Sequence, residues 1–103
     1  MQIEVLHIND CPSWREAGRR VRDALAFTGR DRDAIHFRLL ESVEEAALVP
    51  FSGSPTILID GADLFPGGER TSQLACRVYA TPNGLSGTPT MEQIIDALDA
   101  RGL

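Results

Sequence analysis

Apolar positions recur along this chain in two rhythms. From Ile3 to Ile8, Ile3 and Val5 alternate with Glu4, while Leu6 and Ile8 make the far half apolar on both faces. That pattern predicts a central strand covered on both sides. Beyond it the period becomes helical: Trp14, Ala17, Val21, Ala24, Leu25 and Thr28 share one stripe, Glu16 and Arg20 are spaced to pair at i,i+4, and Gly29 closes the helix. Its start has two readings, two residues apart. Ser13 and Glu16 have the spacing of a capping box, whereas Pro12 also suits the first helical position with Cys11 as N-cap.

Ile35, Phe37 and Leu39 alternate with His36 and Arg38, which predicts a second strand over Ala34 to Leu40. Ser42 and Glu45 repeat the capping-box spacing ahead of a short helix from Val43 to Val49, stopped by Pro50. Phe51-Ser52-Gly53-Ser54 leads as a loop to Pro55, and the run Thr56-Ile57-Leu58-Ile59 is a third strand. Asp60-Gly61 is a hairpin signal, so a short fourth strand is expected over Ala62 to Leu64. Phe65 to Pro89 carries the weakest pattern. A structureless loop of that length counts against itself, and Leu74 to Tyr79 is the candidate for its ordered piece, as an edge strand or one helical turn. After the turn-rich Thr81-Pro82-Asn83-Gly84 and Ser86-Gly87, Thr90 and Gln93 cap a last helix through Ile94, Ile95 and Leu98, ended at Gly102. The expected order is β-α-β-α-β-β-α, an α/β domain over residues 1–103 with a long irregular insertion at about 65–89. A right-handed crossover makes the first two strands parallel, and the hairpin makes the last two antiparallel.

Composition narrows the functions. The 103 residues, 43% hydrophobic and 24% charged, suffice for one core without staples. A formal charge of −5 argues against nucleic acid or an anionic membrane as the partner. Arg15, Arg19, Arg20 and Arg22 are basic locally, as a solvated helix face is. There is no basic segment followed by a long apolar run at the start and no stretch of membrane-spanning length, so a cytoplasmic location is expected. Two cysteines are too few for a secreted disulfide framework, and a separation of 65 positions matches no compact zinc spacing. They act singly or as one long-range pair.

This arrangement resembles the thioredoxin fold, a three-layer α/β architecture, over essentially the whole chain. The residues that carry the resemblance are Cys11-Pro12 at the strand-to-helix junction and Ser54-Pro55-Thr56 at the start of the third strand. It implies a cis peptide bond before Pro55, with that proline beside the reactive cysteine. More narrowly, Gly53-Ser54-Pro55-Thr56 with Ile59-Asp60-Gly61, then Ala75-Cys76-Arg77-Val78-Tyr79 and Gly84-Leu85-Ser86-Gly87-Thr88-Pro89, is similar to small bacterial thioredoxin-like proteins, some of them labelled alkylmercury-lyase-like.

Cys11 is the first candidate for chemistry, because the positive end of a helix favours a thiolate, the form of cysteine that attacks disulfides. In a dithiol thioredoxin the pair is spaced C-x-x-C; here Trp14 stands in the second place, which excludes a dithiol cycle within the motif. What remains is a monothiol site, or a cysteine that merely caps a helix. Cys76 is the second candidate. In this topology everything between the fourth strand and the last helix emerges at the same end of the sheet as Cys11, so Cys76 can lie over Cys11 as a resolving thiol, or be a small apolar filler. Arg77 and Arg70 offer positive charge near a thiolate or an acidic substrate group, although arginine is ordinarily a surface residue.

Pro12, Trp14, Ser54, Pro55 and Arg77 are the candidate substrate-binding residues, with Trp14 either packing on the core or forming an exposed platform. His7, near Asp10, reads better as a satisfied strand histidine than as an acid-base partner, and His36 is fainter still. Asp60, Asp63 and Glu69 do not have the spacing of a metal-ligand set, and Gly84-Leu85-Ser86-Gly87 reads as a sharp turn before it reads as an anion cradle. No metal or cofactor is expected. The leading expectation is thiol-disulfide exchange with a protein or small-molecule thiol or disulfide: Cys11 is the nucleophile, Cys76 the resolving cysteine, and Ser54-Pro55 the docking edge. The alternatives are a non-catalytic thioredoxin-like binding module, and soft-metal or organomercurial binding by Cys11 and Cys76.

Overall fold

In the computed structural model, which describes residues 1–30 and 32–102, strand β1 (Ile3–His7) lies inside a four-stranded sheet. Its neighbours are β2 (Ile35–Leu39), parallel to it, and β3 (Thr56–Ile59), antiparallel; β4 (Ala62–Asp63) pairs with β3 at the far edge, giving the order β2-β1-β3-β4. The register sets Val5 beside Phe37 and Ile57, and Leu6 beside Thr56. Because side chains alternate across a strand, the double apolar pattern of β1 supplies two cores. On one face Ile3, Ile57 and Ile59 pack with Val21 and Leu25 of helix α1 (Ser13–Phe27) and Ile94 and Leu98 of helix α3 (Met91–Ala100). On the other, Leu6 and Leu58 pack with Leu40, Val49, Phe51 and Ala46 of helix α2 (Val43–Ala47), and Cys11 belongs to this second cluster. The fold is mixed α/β, with helices on both faces of the sheet.

The helix ends follow local chemistry. Neither expected start of α1 is realised: Pro12 is the N-cap and its ring has no acceptor to offer as a side-chain cap, while Glu16 pairs with Arg19 and Arg20 at 3.1 and 2.9 Å. At its other end Gly29 and Arg30 donate to the carbonyls of Ala26 and Leu25, the paired bonds of a Schellman closure. Ser42 accepts from the Glu45 amide at 3.2 Å, while α2 itself stops at Ala47, short of Val49. Thr90 and Gln93 form the reciprocal capping box of α3. In the β3–β4 turn Asp60 and Gly61 both take positive φ, 50° and 83°, as a tight two-residue hairpin requires.

The irregular insertion expected at 65–89 is corrected. It contains a second sheet of two antiparallel strands, β5 (Tyr79–Thr81) and β6 (Gly84–Ser86), turning at Pro82-Asn83. The element order is therefore β-α-β-α-β-β-β-β-α. Of Leu74 to Tyr79, the expected ordered piece, only Tyr79 lies in a strand, as the first residue of β5; Leu74 to Val78 form neither strand nor helical turn but one isolated parallel bridge, between Cys76 and Ser54. Strands of three residues with little apolar alternation carry too weak a signal to stand out from a turn-rich segment. Among the described residues no helix is long and apolar enough to cross a membrane.

The two cores give an expectation for stability. Leu98→Ala, at a position 1% exposed, should lower the unfolding free energy by about 2–5 kcal/mol. Leu48→Ala, at 80% exposure, should stay within about 0.5 kcal/mol of wild type, both read by urea denaturation.

Candidate functional site

Strand β1 leaves the sheet at His7, and the chain crosses Ile8 to Asp10 before reaching Cys11 at the foot of α1. Ser54 fixes this exit: its hydroxyl accepts the Ile8 amide at 3.1 Å. The Ser54–Pro55 peptide bond is cis. Both remaining polar groups of the Ser54 backbone are taken by a distant segment. Its amide donates to the Ala75 carbonyl at 2.9 Å, and its carbonyl accepts the Arg77 amide at 2.8 Å. Residues 75–77 therefore lie as a strap along Ser54, and Cys76 at its centre is joined to Cys11 in a disulfide with a Cα separation of 5.9 Å. Cys11 is 2% exposed, whereas Cys76 is an exposed residue. The Cys11 Sγ also lies 3.4 Å from the Ser54 carbonyl oxygen.

The strap has further anchors. Thr71 donates its amide to the Phe51 carbonyl at 2.8 Å. Arg77 is buried, 8% exposed, contrary to the ordinary surface placement of arginine. Its guanidinium binds the Asp63 carboxylate at 2.9 Å and the Phe65 carbonyl at 2.6 Å, and it stacks 4.6 Å from the centre of the Tyr79 ring. The charge proposed from sequence for a thiolate or an acidic substrate group is thus directed to internal partners. Gly53, with φ of 101°, passes so close beneath that a Cβ there would stand 2.8 Å from the Arg77 Cβ. Tyr79, which sequence reasoning missed, donates its hydroxyl to the Pro55 carbonyl at 2.5 Å. Burial raises its phenol above the ordinary value; Arg77 pulls the other way and Asp63 adds to the rise.

The remaining candidates separate from this cluster. Pro12 is exposed at the N-cap of α1. Trp14 is half-buried and stacks on His7, with ring centres 4.1 Å apart and planes 18° apart; Phe37 meets its edge at 5.5 Å, and Arg15 lies over it at 5.1 Å. Thus Cys11, Cys76, Ser54, Pro55 and Arg77 come together, while Trp14 joins an aromatic group with His7. His7 corrects another expectation: it is buried, 7% exposed, and its Nδ1 has no hydrogen-bond partner among the described residues. Burial lowers its pKa from the ordinary 6.5, against a smaller opposite effect of the Ile8 backbone. No signal in the sequence distinguishes a satisfied strand histidine from this one. Among the described residues no group of three His, Cys, Asp or Glu side chains is placed to hold a metal ion.

Two measurements probe this site. The disulfide closes a loop across 65 positions, so its reduction should lower the unfolding free energy by up to about 4 kcal/mol, seen as an earlier urea midpoint with reductant. His7 gives a pH signature. With its folded pKa below 6.5, the folded chain binds fewer protons than the unfolded chain, so stability is lost as pH falls through the unfolded value towards the folded one. The urea midpoint should decline from about pH 7.5 to about pH 5.5, and His7→Phe, which keeps the stack on Trp14 without a ring nitrogen, should flatten that decline.

In comparisons with known proteins, no family model matches this chain, and neither a curated protein nor a solved structure matches it.

Proposed function

We propose that this is a thioredoxin-like thiol-disulfide redox protein that cycles between the Cys11–Cys76 disulfide and the dithiol. The observation that carries the proposal is the pairing itself: two sulfurs 65 positions apart in sequence are bonded at the foot of α1. The parallel β1–β2 crossover through α1, the antiparallel β3–β4 hairpin and the cis Ser54–Pro55 bond beside Cys11 support the thioredoxin-like reading. In the oxidising direction the dithiol transfers two electrons and two protons to a disulfide RSSR, giving the internal disulfide and two RSH; the reverse reaction consumes two thiols. Cys76 supplies the second thiol that Trp14 displaced from the usual motif. The partners are protein or small-molecule thiols and disulfides, and the setting is the cytoplasm, where disulfides are transient and catalytic or redox-sensing.

The convergence of the same two sulfurs favours a second reading, binding of a soft metal or organomercurial by the reduced pair. A turnover assay separates the two. With dithiothreitol as reductant and 2-hydroxyethyl disulfide as substrate, the wild-type protein should exceed an equal concentration of free thiol by at least about tenfold, and both Cys11→Ser and Cys76→Ser should fall to that background. A wild-type rate at background would overturn the redox proposal.

A further inference from the structure

We infer that partner thiols and disulfides are met by Cys76, and that Cys11 is the internal member of the pair, the reverse of the order suggested by its place at a helix start. This rests on the reading of Cys11–Cys76 as a redox pair. A thiolate attacks a disulfide in line with the bond that breaks, so it approaches a sulfur from the side opposite its partner, and access decides which sulfur is attacked. Cys11 is 2% exposed and belongs to the cluster of Leu6, Ile8, Leu40, Phe51 and Leu58. A nucleophile aimed at its sulfur has to enter through that packing. Cys76 stands at the end of an exposed run from Ser72. Leaving-group chemistry agrees with access, because attack on Cys76 expels the Cys11 thiolate at the N-terminus of a helix of 15 residues, where negative charge is favoured.

The steps balance with a thiol as the named co-reactant. RS⁻ attacks Cys76 Sγ, the Cys76–Cys11 bond breaks, and Cys11 leaves with the electron pair and takes up a proton. A second RS⁻ then attacks the R sulfur of the mixed disulfide, giving RSSR and the Cys76 thiolate. In the opposite direction the Cys76 thiolate attacks RSSR and releases RS⁻; Cys11, deprotonated, then attacks Cys76 Sγ and releases the second RS⁻. Cys11 is therefore the nucleophile of ring closure.

Reduction does not by itself uncover Cys11, because the strap is held by bonds other than the disulfide. These are Ser54 to Ala75 and Arg77, Thr71 to Phe51, and the Arg77 guanidinium to Asp63 and Phe65.

A pulse experiment tests the assignment. The oxidised protein is exposed briefly to glutathione, quenched with excess N-ethylmaleimide and mapped by peptide mass spectrometry. Glutathione should be found on Cys76 and the maleimide on Cys11, with at least about tenfold preference over the inverse. The inverse pattern, or equal partition, overturns the inference, as does failure of the chain to form the Cys11–Cys76 disulfide with oxidised dithiothreitol. A second measurement needs neither a variant nor a trapped intermediate: substoichiometric iodoacetamide on the reduced wild-type protein should label Cys76 before Cys11, and labelling of Cys11 first or at an equal rate overturns the inference. Turnover at background in the disulfide assay would remove the redox function while leaving these site preferences as read, so the two failures are distinct.

Discussion

The arrangement of the site depends on Ser54. This fully buried residue satisfies three polar groups from two separate parts of the chain: the Ile8 amide at its hydroxyl, the Ala75 carbonyl at its amide, and the Arg77 amide at its carbonyl. Each bond is worth on the order of 1 kcal/mol net, but each buried group left unpaired costs about 1–3 kcal/mol, so the constraint is stronger than the sum of the bonds suggests. The exit of β1 and the strap are held to the same residue. Cys11 follows one and Cys76 lies in the other, so their sulfurs meet as a consequence of backbone pairing at Ser54.

The second fixed point of the strap is electrostatic. Arg77 is buried and Asp63 mostly so, with the guanidinium also satisfied by the Phe65 carbonyl and the Tyr79 ring. A buried pair of this kind adds little over an apolar substitute, yet losing one partner costs about 3–5 kcal/mol because the other charge is stranded. It therefore acts as a registration device. Arg77 holds the strap with its side chain to Asp63 at the edge of β4, and with its amide to Ser54, so Cys76 has bonded residues on either side of it.

How far this could be read in advance depends on the range of the interaction. Elements governed by local period and capping were legible: β1 by its two-faced apolar run, the β3–β4 hairpin by Asp60-Gly61, and α3 by Thr90 and Gln93. The Cys11–Cys76 approach was legible as an option, because strand direction alone brings the segment after β4 to the end of the sheet where Cys11 sits. The β5–β6 hairpin was not, since Tyr79–Thr81 and Gly84–Ser86 are too short to show a period and are positioned by remote bonds, such as that from the Gln93 side chain to the Ala80 carbonyl. Nor was the burial of Arg77, which requires Asp63 and Tyr79 to converge on it, or the burial of His7 with its Nδ1 lacking a hydrogen-bond partner among the described residues.

Two influences act in opposite senses on the sulfur of Cys11. The start of α1 favours negative charge there, whereas burial and a carbonyl oxygen at 3.4 Å favour an uncharged sulfur, as a disulfide or a thiol donating to Ser54. A sulfur held this way is poorly suited to wait as an exposed, charged nucleophile. On the proposed redox reading it is the start of α1 that helps this sulfur accept an electron pair as the disulfide opens and return it to Cys76, while burial keeps partner thiols and disulfides from reaching it. On that same proposed reading, helix polarity, which in the sequence points to Cys11 as the attacking group, bears instead on its capacity as leaving group and as ring-closing thiolate. The same feature thus supports a different role once the strap is in place, and what changes it is the cover over Cys11 rather than the chemistry of the helix.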